Sequence, residues 1–410
     1  MATTYYFDRD TKVYAHVPLT TAGTKSMFYE LPVLDGFSFS QATNASEITL
    51  NQAQATSNAK SLRARQMFND SYAPAEWSFS TYMSPYTTAG GTQGTAGIGS
   101  AVDGTHREVS EAMWAMFFDQ TVNGALDADA TDLSISPANS NKATIGVFDL
   151  WFVFGAGKVL EASGIPASNY ADGAQKIYRV KDCSVNEASF DFDIDGIATV
   201  AWSGQGKLIT EEAALGGQSG TTSIDGTDYT MSTSLITEGV ENTTGFIRNR
   251  VSDLTLSGAF ASASAVTYAT TLTGGNITMS NNLTYLTPET LGIVNQPLGH
   301  VTGTRNIGGN FTCYLDNDTN SSAELFEDAI EATTDIQNVC SFTFDIGAGS
   351  ATSGTVPYCL LTMPTCHIEV PTIAIDDVIS LETNFHALPS EISATDEITV
   401  FNFFGIDVNA

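Results

Sequence analysis

Asp191, Asp193 and Asp195, followed by Gly196, carry the spacing that opens an EF-hand calcium loop (DFDIDG). Carboxylates at alternate positions and a glycine at the sharp turn are what a hard divalent cation requires. The twelfth position of such a loop supplies a bidentate glutamate, and here it is Trp202. Phe190, Phe192 and Ile194 alternate with the acids, so the segment reads as a strand with three aspartates on one face. We expect a row of negative charge there that faces solvent, and no metal site.

The other candidate chemistries fail on spacing. Gly155-Ala156-Gly157-Lys158 resembles part of a phosphate loop, but the first glycine is missing and Val159 stands where Ser or Thr belongs. No G-x-S-x-G elbow and no H-E-x-x-H occurs. His16, His106, His300, His367 and His386 are dispersed. Cys366 and His367 are adjacent in a strand pattern and point to opposite faces, which does not suit one metal. No catalytic, cofactor-binding or metal residue is assigned, and an enzyme is not expected.

The elements that hold these residues form a repeat. Cys340–Leu388 begins CSFTFDIGAG, breaks at a glycine-rich interruption, and resumes VPYCLLTMPTCHIEVPTIAIDDVISLETNFHAL. Period-two alternation bounded by Gly and Pro marks strands. An earlier copy starts at Ile145 with IGVFDLWFVFGAG and resumes KIYRVKDCSVNEASFDFDIDGIATVAWSGQGKL. Each copy runs a strand into Gly-Ala-Gly, reaches a cysteine (Cys183, Cys366), and then an Ile-Asp pair (Ile194-Asp195, Ile375-Asp376).

The flanks agree. AEWSFSTY and GNFTCY are strands, each followed by a helix. Thr105-His106-Arg107-Glu108 and Ser321-Ser322-Ala323-Glu324 fit capping boxes. Val109, Met113, Met116 and Phe117 mark one apolar helix face to pack on a sheet. DGFSFSQATNASEITL matches GGNITMSNNLTYLTPETL upstream. The stretch from Asn44 to Tyr72 reads as loop, with a basic cluster of Lys60, Arg63 and Arg65 suited to an acidic neighbouring subunit. Ala89–Gly104 reads as a mobile loop. We expect two tandem domains, 1–210 and 246–410, joined by a Gly/Ser/Thr-rich linker or arm, 211–245. The closing apolar strand, EITVFNFFGIDV, is expected to pair with a partner subunit.

Composition narrows the function classes. The 410 residues carry 16 Lys and Arg against 46 Asp and Glu, a net charge of −30. That balance disfavours binding to nucleic acid or anionic membranes. Hydrophobic content of 42% is enough to build cores. The five cysteines are odd in number and form no CxxC pair, which fits buried free thiols in a reducing cytoplasm. MATTYYFDRDTK has no apolar h-region, so no secretory signal is expected. The most apolar window, Ile145–Gly157, is too short for a membrane span and contains Asp149.

At Met363–Leu388, with VTGTRNIGGNFTCYLDND, a short helix and FTFDIG before it, the chain resembles the phage major tail protein, or tail tube, family. The likeness is good over 274–388 and weaker over 33–208, where Trp202-Ser203-Gly204 replaces Thr383-Asn384-Phe385. The resemblance implies an all-β fold of two β-sandwich or barrel domains, each with one short flanking helix. It implies a structural virion protein of long-tailed siphophages, in the form with a fused duplicate of the tube domain. Three such chains would make a pseudo-hexameric ring. Stacked rings would form a channel that DNA crosses without specific binding, and tape measure and tail terminator proteins would be partners. Assembly would take place in the host cytoplasm, with no membrane and no cofactor. A two-domain β-sandwich adhesin or virion decoration protein is the alternative.

Overall fold

The structure is a computed structural model that describes residues 6, 8, 11–19, 25–49, 65–87, 104–137, 144–155, 176–193, 196–212, 230–231, 245–258, 265–291, 293–331, 339–347, 356–375 and 378–407. It is an all-β protein with a few short helices. The first half holds β1 (Thr11–Pro18), β2 (Lys25–Leu31), β3 (Ser38–Thr49), β4 (Arg65–Tyr82), β5 (Pro85–Thr87) and β6 (His106–Glu108). Then come α1 (Glu111–Phe118), α2 (Val122–Ala125), β7 (Leu126–Ala128), β8 (Leu133–Ile135), β9 (Phe148–Phe154), β10 (Lys176–Asp193), β11 (Thr199–Gly206), β12 (Leu208–Glu212) and β13 (Thr230–Met231). The second half holds β14 (Asp253–Gly258), β15 (Val266–Ala269), β16 (Leu272–Ser280), β17 (Thr284–Leu286), β18 (Gly299–Val301), β19 (Asn306–Tyr314) and α3 (Ser322–Glu331). It closes with β20 (Val339–Ile346), β21 (Tyr358–Ile368), β22 (Thr372–Ala374), β23 (Ser380–Ala387), β24 (Val400–Phe404) and β25 (Ile406–Asp407).

One pairing order occurs twice. In the first half, β2, β1, β9, β10 and β12 pair in that sequence, and β3, β4, β11 and β10 pair in another. In the second half, β15, β14, β20, β21 and β24 pair, as do β16, β19, β23 and β21 with β22. The long strands β10 and β21 belong to both sheets of their half. Each ladder bends beside the cysteine, between Val180 and Cys183 in one half and Cys340 and Phe342 in the other. Gly155 (φ +79°) and Gly347 (φ +99°) end β9 and β20 in the left-handed region that glycine enters without strain.

The halves join edge to edge. β10 pairs with β16 from Glu187↔Ser280 to Asp193↔Gly274. The result is one eight-stranded run, β3-β4-β11-β10-β16-β19-β23-β21. Its inner face carries Trp77, Phe79, Trp202, Phe190, Ile277, Phe311 and Phe385, all buried. In the second half Phe342 packs 4.9 Å from Phe385.

Several elements depart from the sequence reading. His106–Glu108 is not a helix start but strand β6, paired with β5, and Ser110 is the N-cap of α1 without a side-chain cap bond. Glu108 accepts instead from the Ser110 amide at 2.7 Å and hydroxyl at 2.8 Å. Every residue of α1 is buried, so its expected single apolar face is wrong. The far side is roofed by β24: Trp114 lies 4.7 Å from Phe401 and 4.6 Å from Trp202. The first half also carries a second helix, α2, capped by the Thr121 hydroxyl. At α3 the Glu324 carboxylate accepts from Asn320 N at 2.7 Å rather than from Ser321 N, and the Ser321 hydroxyl donates to Asp316 O, so these two bonds replace the expected capping box.

The stretch read as loop from Asn44 to Tyr72 is in its described parts a hairpin of β3 and β4. Arg65 faces Glu47 across it at 3.6 Å, an exposed pair within the chain; Lys60 and Arg63 lie outside the described residues. The apolar C-terminal strand finds its partners inside the chain, β24 on β21 and β8, and β25 on β5. Its apolar residues are satisfied by α1, which removes the need for a partner subunit there. The Ala89–Gly104 loop falls almost wholly outside the described residues, as does most of 211–245, whose β13 pairs with β2.

Glu108 also accepts from Ser84 N at 3.4 Å, and the Ser84 hydroxyl donates to Gly245 O at the start of the second half. Burial pushes the Glu108 carboxyl up to about 8 against hydrogen bonds from Ser110 and Ser84. An unfolded glutamate titrates near 4.5. Between those values the native state holds the extra proton, so this group's contribution to stability falls as pH rises through the window. Glu108→Gln removes that slope. Denaturant midpoints of the variant are expected to fall less than those of the parent between about pH 5 and pH 8. An equal or steeper fall would place the titration elsewhere.

Candidate functional site

The outward face of the eight-stranded run is polar where the strands alternate between bulges. Ladder partners share a face, so Ser78, Ser203, Glu187 and Ser280 stand in one row. Asp191, Asn276, Asn310 and Asn384 stand in another. Asp193, Thr312 and Glu382 share this face further along. Asp191 and Asp193 are exposed, as are Glu76, Glu382 and Asn384. None of these positions is Lys or Arg. The side facing the core alternates with them: Phe190 and Ala188 are buried on β10, and Leu381, Thr383 and Phe385 on β23.

The expected acidic row is therefore present at Asp191 and Asp193; Asp195 lies outside the described residues. The two aspartates sit in a ladder opposite Asn276 and Gly274 rather than in a coordinating loop. At these positions the surface offers short hydroxyls, amides and carboxylates. Its exposed carboxylates at Asp191, Asp193, Glu76 and Glu382 repel a polyanion.

The run has two open ends. Among the described residues β3 pairs with a strand on one side only, through β4. At the other end β22 takes over from β21 along β23, and among the described residues it pairs with β23 alone. Val370, Ile373 and Ile375 stand exposed along that end, at 52%, 42% and 80%. Unpaired backbone beside exposed β-branched residues is an edge that accepts another strand. Two segments expose further apolar residues. The β3–β4 hairpin exposes Ile48, Met67 and Phe68, and the β17–β18 segment exposes Leu291, Ile293 and Leu298. They touch one another: Tyr72 N donates to Asn295 O at 2.9 Å, and Asn295 N donates to Asp70 O at 3.1 Å.

The corner that aims β10 across the two sheets is fixed by charge. Asp149, fully buried on β9, accepts from Lys25 Nζ at 2.7 Å, Arg179 at 2.7 Å and the Asp182 amide at 2.9 Å. Asp182 occupies the bend itself with φ +50°. Burial disfavours the Asp149 charge, but His16, Lys25 and Arg179 together outweigh it and hold the carboxyl well below the usual carboxylate range. Arg179 also lies 4.9 Å over the Trp151 ring. The sequence flagged Asp149 only as a charge in an apolar window; a lone acid amid β-branched and aromatic residues was the available sign of a buried cluster.

The second half clasps this corner. Tyr285 donates to Gln205 O at 3.2 Å, Ser184 meets His300 at 3.1 Å, and Leu283 N donates to Asn186 at 2.8 Å. Asn281 bridges Phe117 O and Val185 O, each at 3.2 Å, while accepting from Arg305 at 3.2 Å. Cys366 is buried and His367 half-exposed, on opposite faces of β21. Lys158 and Gly157 lie outside the described residues.

No family model matches the chain. A relative among known proteins is tail tube protein pb6 of Escherichia phage T5. It is 25% identical over 412 residues, which span 95% of this chain and 74% of the relative.

Proposed function

From this likeness to a phage tail tube protein, we propose that the chain is a structural subunit of a tail tube, a component of the phage virion tail. Residues 1–210 and 246–410 act as two copies of one tube domain joined by 211–245. Three chains close into a ring with six domain equivalents, rings stack, and DNA passes through the lumen without specific binding. A tape measure protein within the lumen and a terminator at the tube end are the partners such a conduit needs.

The observation that carries this reading is the seam of β10 on β16. Two similar four-strand units already join edge to edge within one chain, and the run they form ends in two open edges. Adding further copies in the same sense leaves no free edge only if the run closes on itself. The polar, acidic face without Lys or Arg at its named positions supports a lining that does not hold duplex DNA. The exposed apolar residues around Phe68 and Ile293 support contact between successive rings. Assembly tests the proposal: concentrated protein is expected to form hollow rings or tubes whose particle masses are multiples of three chains.

A further inference from the structure

We infer that the seam inside the chain fixes the residue-by-residue register of the seam between chains, with β22 of one copy pairing antiparallel to β3 of the next. The inference rests on the ring-forming reading above and adds to it a specific pair of edges and a specific alignment.

The argument uses ladder positions alone. β10 and the β21–β22 segment occupy the same place in the repeated pairing order, and so do β16 and β3. Ser189 lies opposite Ala201 of β11, and Thr372 lies opposite Glu382 of β23. With Trp202-Ser203-Gly204 equivalent to Thr383-Asn384-Phe385, Ser189 corresponds to Thr372 and Phe190 to Ile373. On the other side, Ile277 is tied through Gly309 to Phe385, and Phe39 is tied through Trp77 to Gly204. Ile277 therefore corresponds to Phe39, and Thr278 to Ser40.

The internal seam aligns Phe190 with Ile277 and Ser189 with Thr278. Carried over, Ile373 of one copy lies opposite Phe39 of the next, Thr372 opposite Ser40, and Ala374 opposite Ser38.

Burial supports the alignment independently. Phe190 is 2% exposed and Ile277 fully buried where the seam is made. Their counterpart Ile373 is 42% exposed where it is not. Phe39 is half-buried against Phe152 at 4.4 Å, on the core side of β3. The alignment places the exposed Ile373 beside that aromatic group. On the solvent side the Ser189 and Thr278 hydroxyls meet at 3.3 Å, so Thr372 and Ser40 are a close pair of small, accessible residues.

The test is a double variant, Thr372→Cys with Ser40→Cys, assembled and then oxidised. Both substitutions are small-for-small and solvent-facing, and the native cysteines are buried. Directly opposed residues lie about 4.5–5.5 Å apart, whereas diagonal pairs lie about 7–8 Å apart and are beyond a disulfide's reach. Reducible dimers and trimers on a denaturing gel are expected for this pair. They are not expected for Thr372→Cys with Ser38→Cys, nor for either single variant. Cross-linking of the offset pair instead, or of neither pair in material that forms rings, overturns the register while leaving the ring intact. Absence of rings from the unmodified protein overturns the ring reading itself, and the register with it.

Discussion

Replacing Asp149 with alanine is expected to remove about 3–5 kcal/mol of folding stability. The carboxylate is fully buried and meets Lys25, Arg179 and the Asp182 amide together. Removing it leaves Lys25 with Asp182 alone at 2.7 Å and Arg179 with Glu212 alone at 3.8 Å, beside Trp151, and frees the bend of β10. The cost comes from two cations under-compensated in a largely buried site together with the lost bond to the Asp182 amide. Asp149→Asn keeps the shape and one acceptor, so a smaller loss is expected. Equilibrium denaturation of the three proteins checks the order. The same group sets a pH limit. A carboxyl held below its usual range stabilises fully above the unfolded value of 3.8, and that contribution is lost as pH falls below it. In Asp149→Asn this acid-side loss is expected to be shallower. If Asp149→Ala unfolds at the same denaturant concentration as the parent, the corner is not held by this cluster.

Ile373→Asp is expected to raise the concentration needed for assembly steeply while leaving the single chain folded. The side chain is exposed in the isolated chain, so the change is expected to cost within about 0.5 kcal/mol of folding stability. In the seam it would place a carboxylate against Phe39 and its aromatic neighbours. Burying an unpaired charge costs several kcal/mol. A rise of at least about 100-fold in the concentration needed for assembly follows from about 2.7 kcal/mol at each seam. Light scattering across a concentration series measures it, with circular dichroism as the check on folding. Asp191→Asn, on the solvent face of the same sheet, is expected to assemble as the parent does. Normal assembly of Ile373→Asp would mean that β22 is not at the joint.

The strands around the repeated Gly-Ala-Gly and cysteine marks were legible because alternation survives divergence. Phe342, Phe344 and Ile346 point inward as their spacing required. The weakness of the likeness at Trp202-Ser203-Gly204 has a packing cause. In the first half Trp77 lies opposite Gly204, and in the second Gly309 lies opposite Phe385. At the Gly204 position the bulky residue has changed strands, so the single residues look unrelated while both of these pairs keep one large and one small member; Trp202, opposite Phe79, follows no such exchange. A Cβ on Gly204 would stand 2.3 Å from the Trp77 ring, which explains the glycine.

Other features were hidden by tertiary context. The Thr105–Glu108 pattern has the residue types of a cap, but β5 offers that backbone a ladder. Helix α1 looked amphipathic because its second cover, Phe401, comes from the far end of the chain. The same distance in sequence made β24 look like an orphan edge. The acidic face was readable at Asp191 and Asp193 from period two alone. Its extension through Asn276, Asn310 and Asn384 required the register, which no composition encodes.

Negative-stain imaging of the concentrated, unmodified protein tests the central claim most directly. Closed rings with a central hole, stacking into hollow tubes, and particle masses in multiples of three chains are expected. Monodisperse monomers at every salt concentration and pH, with no rings or tubes, would contradict it.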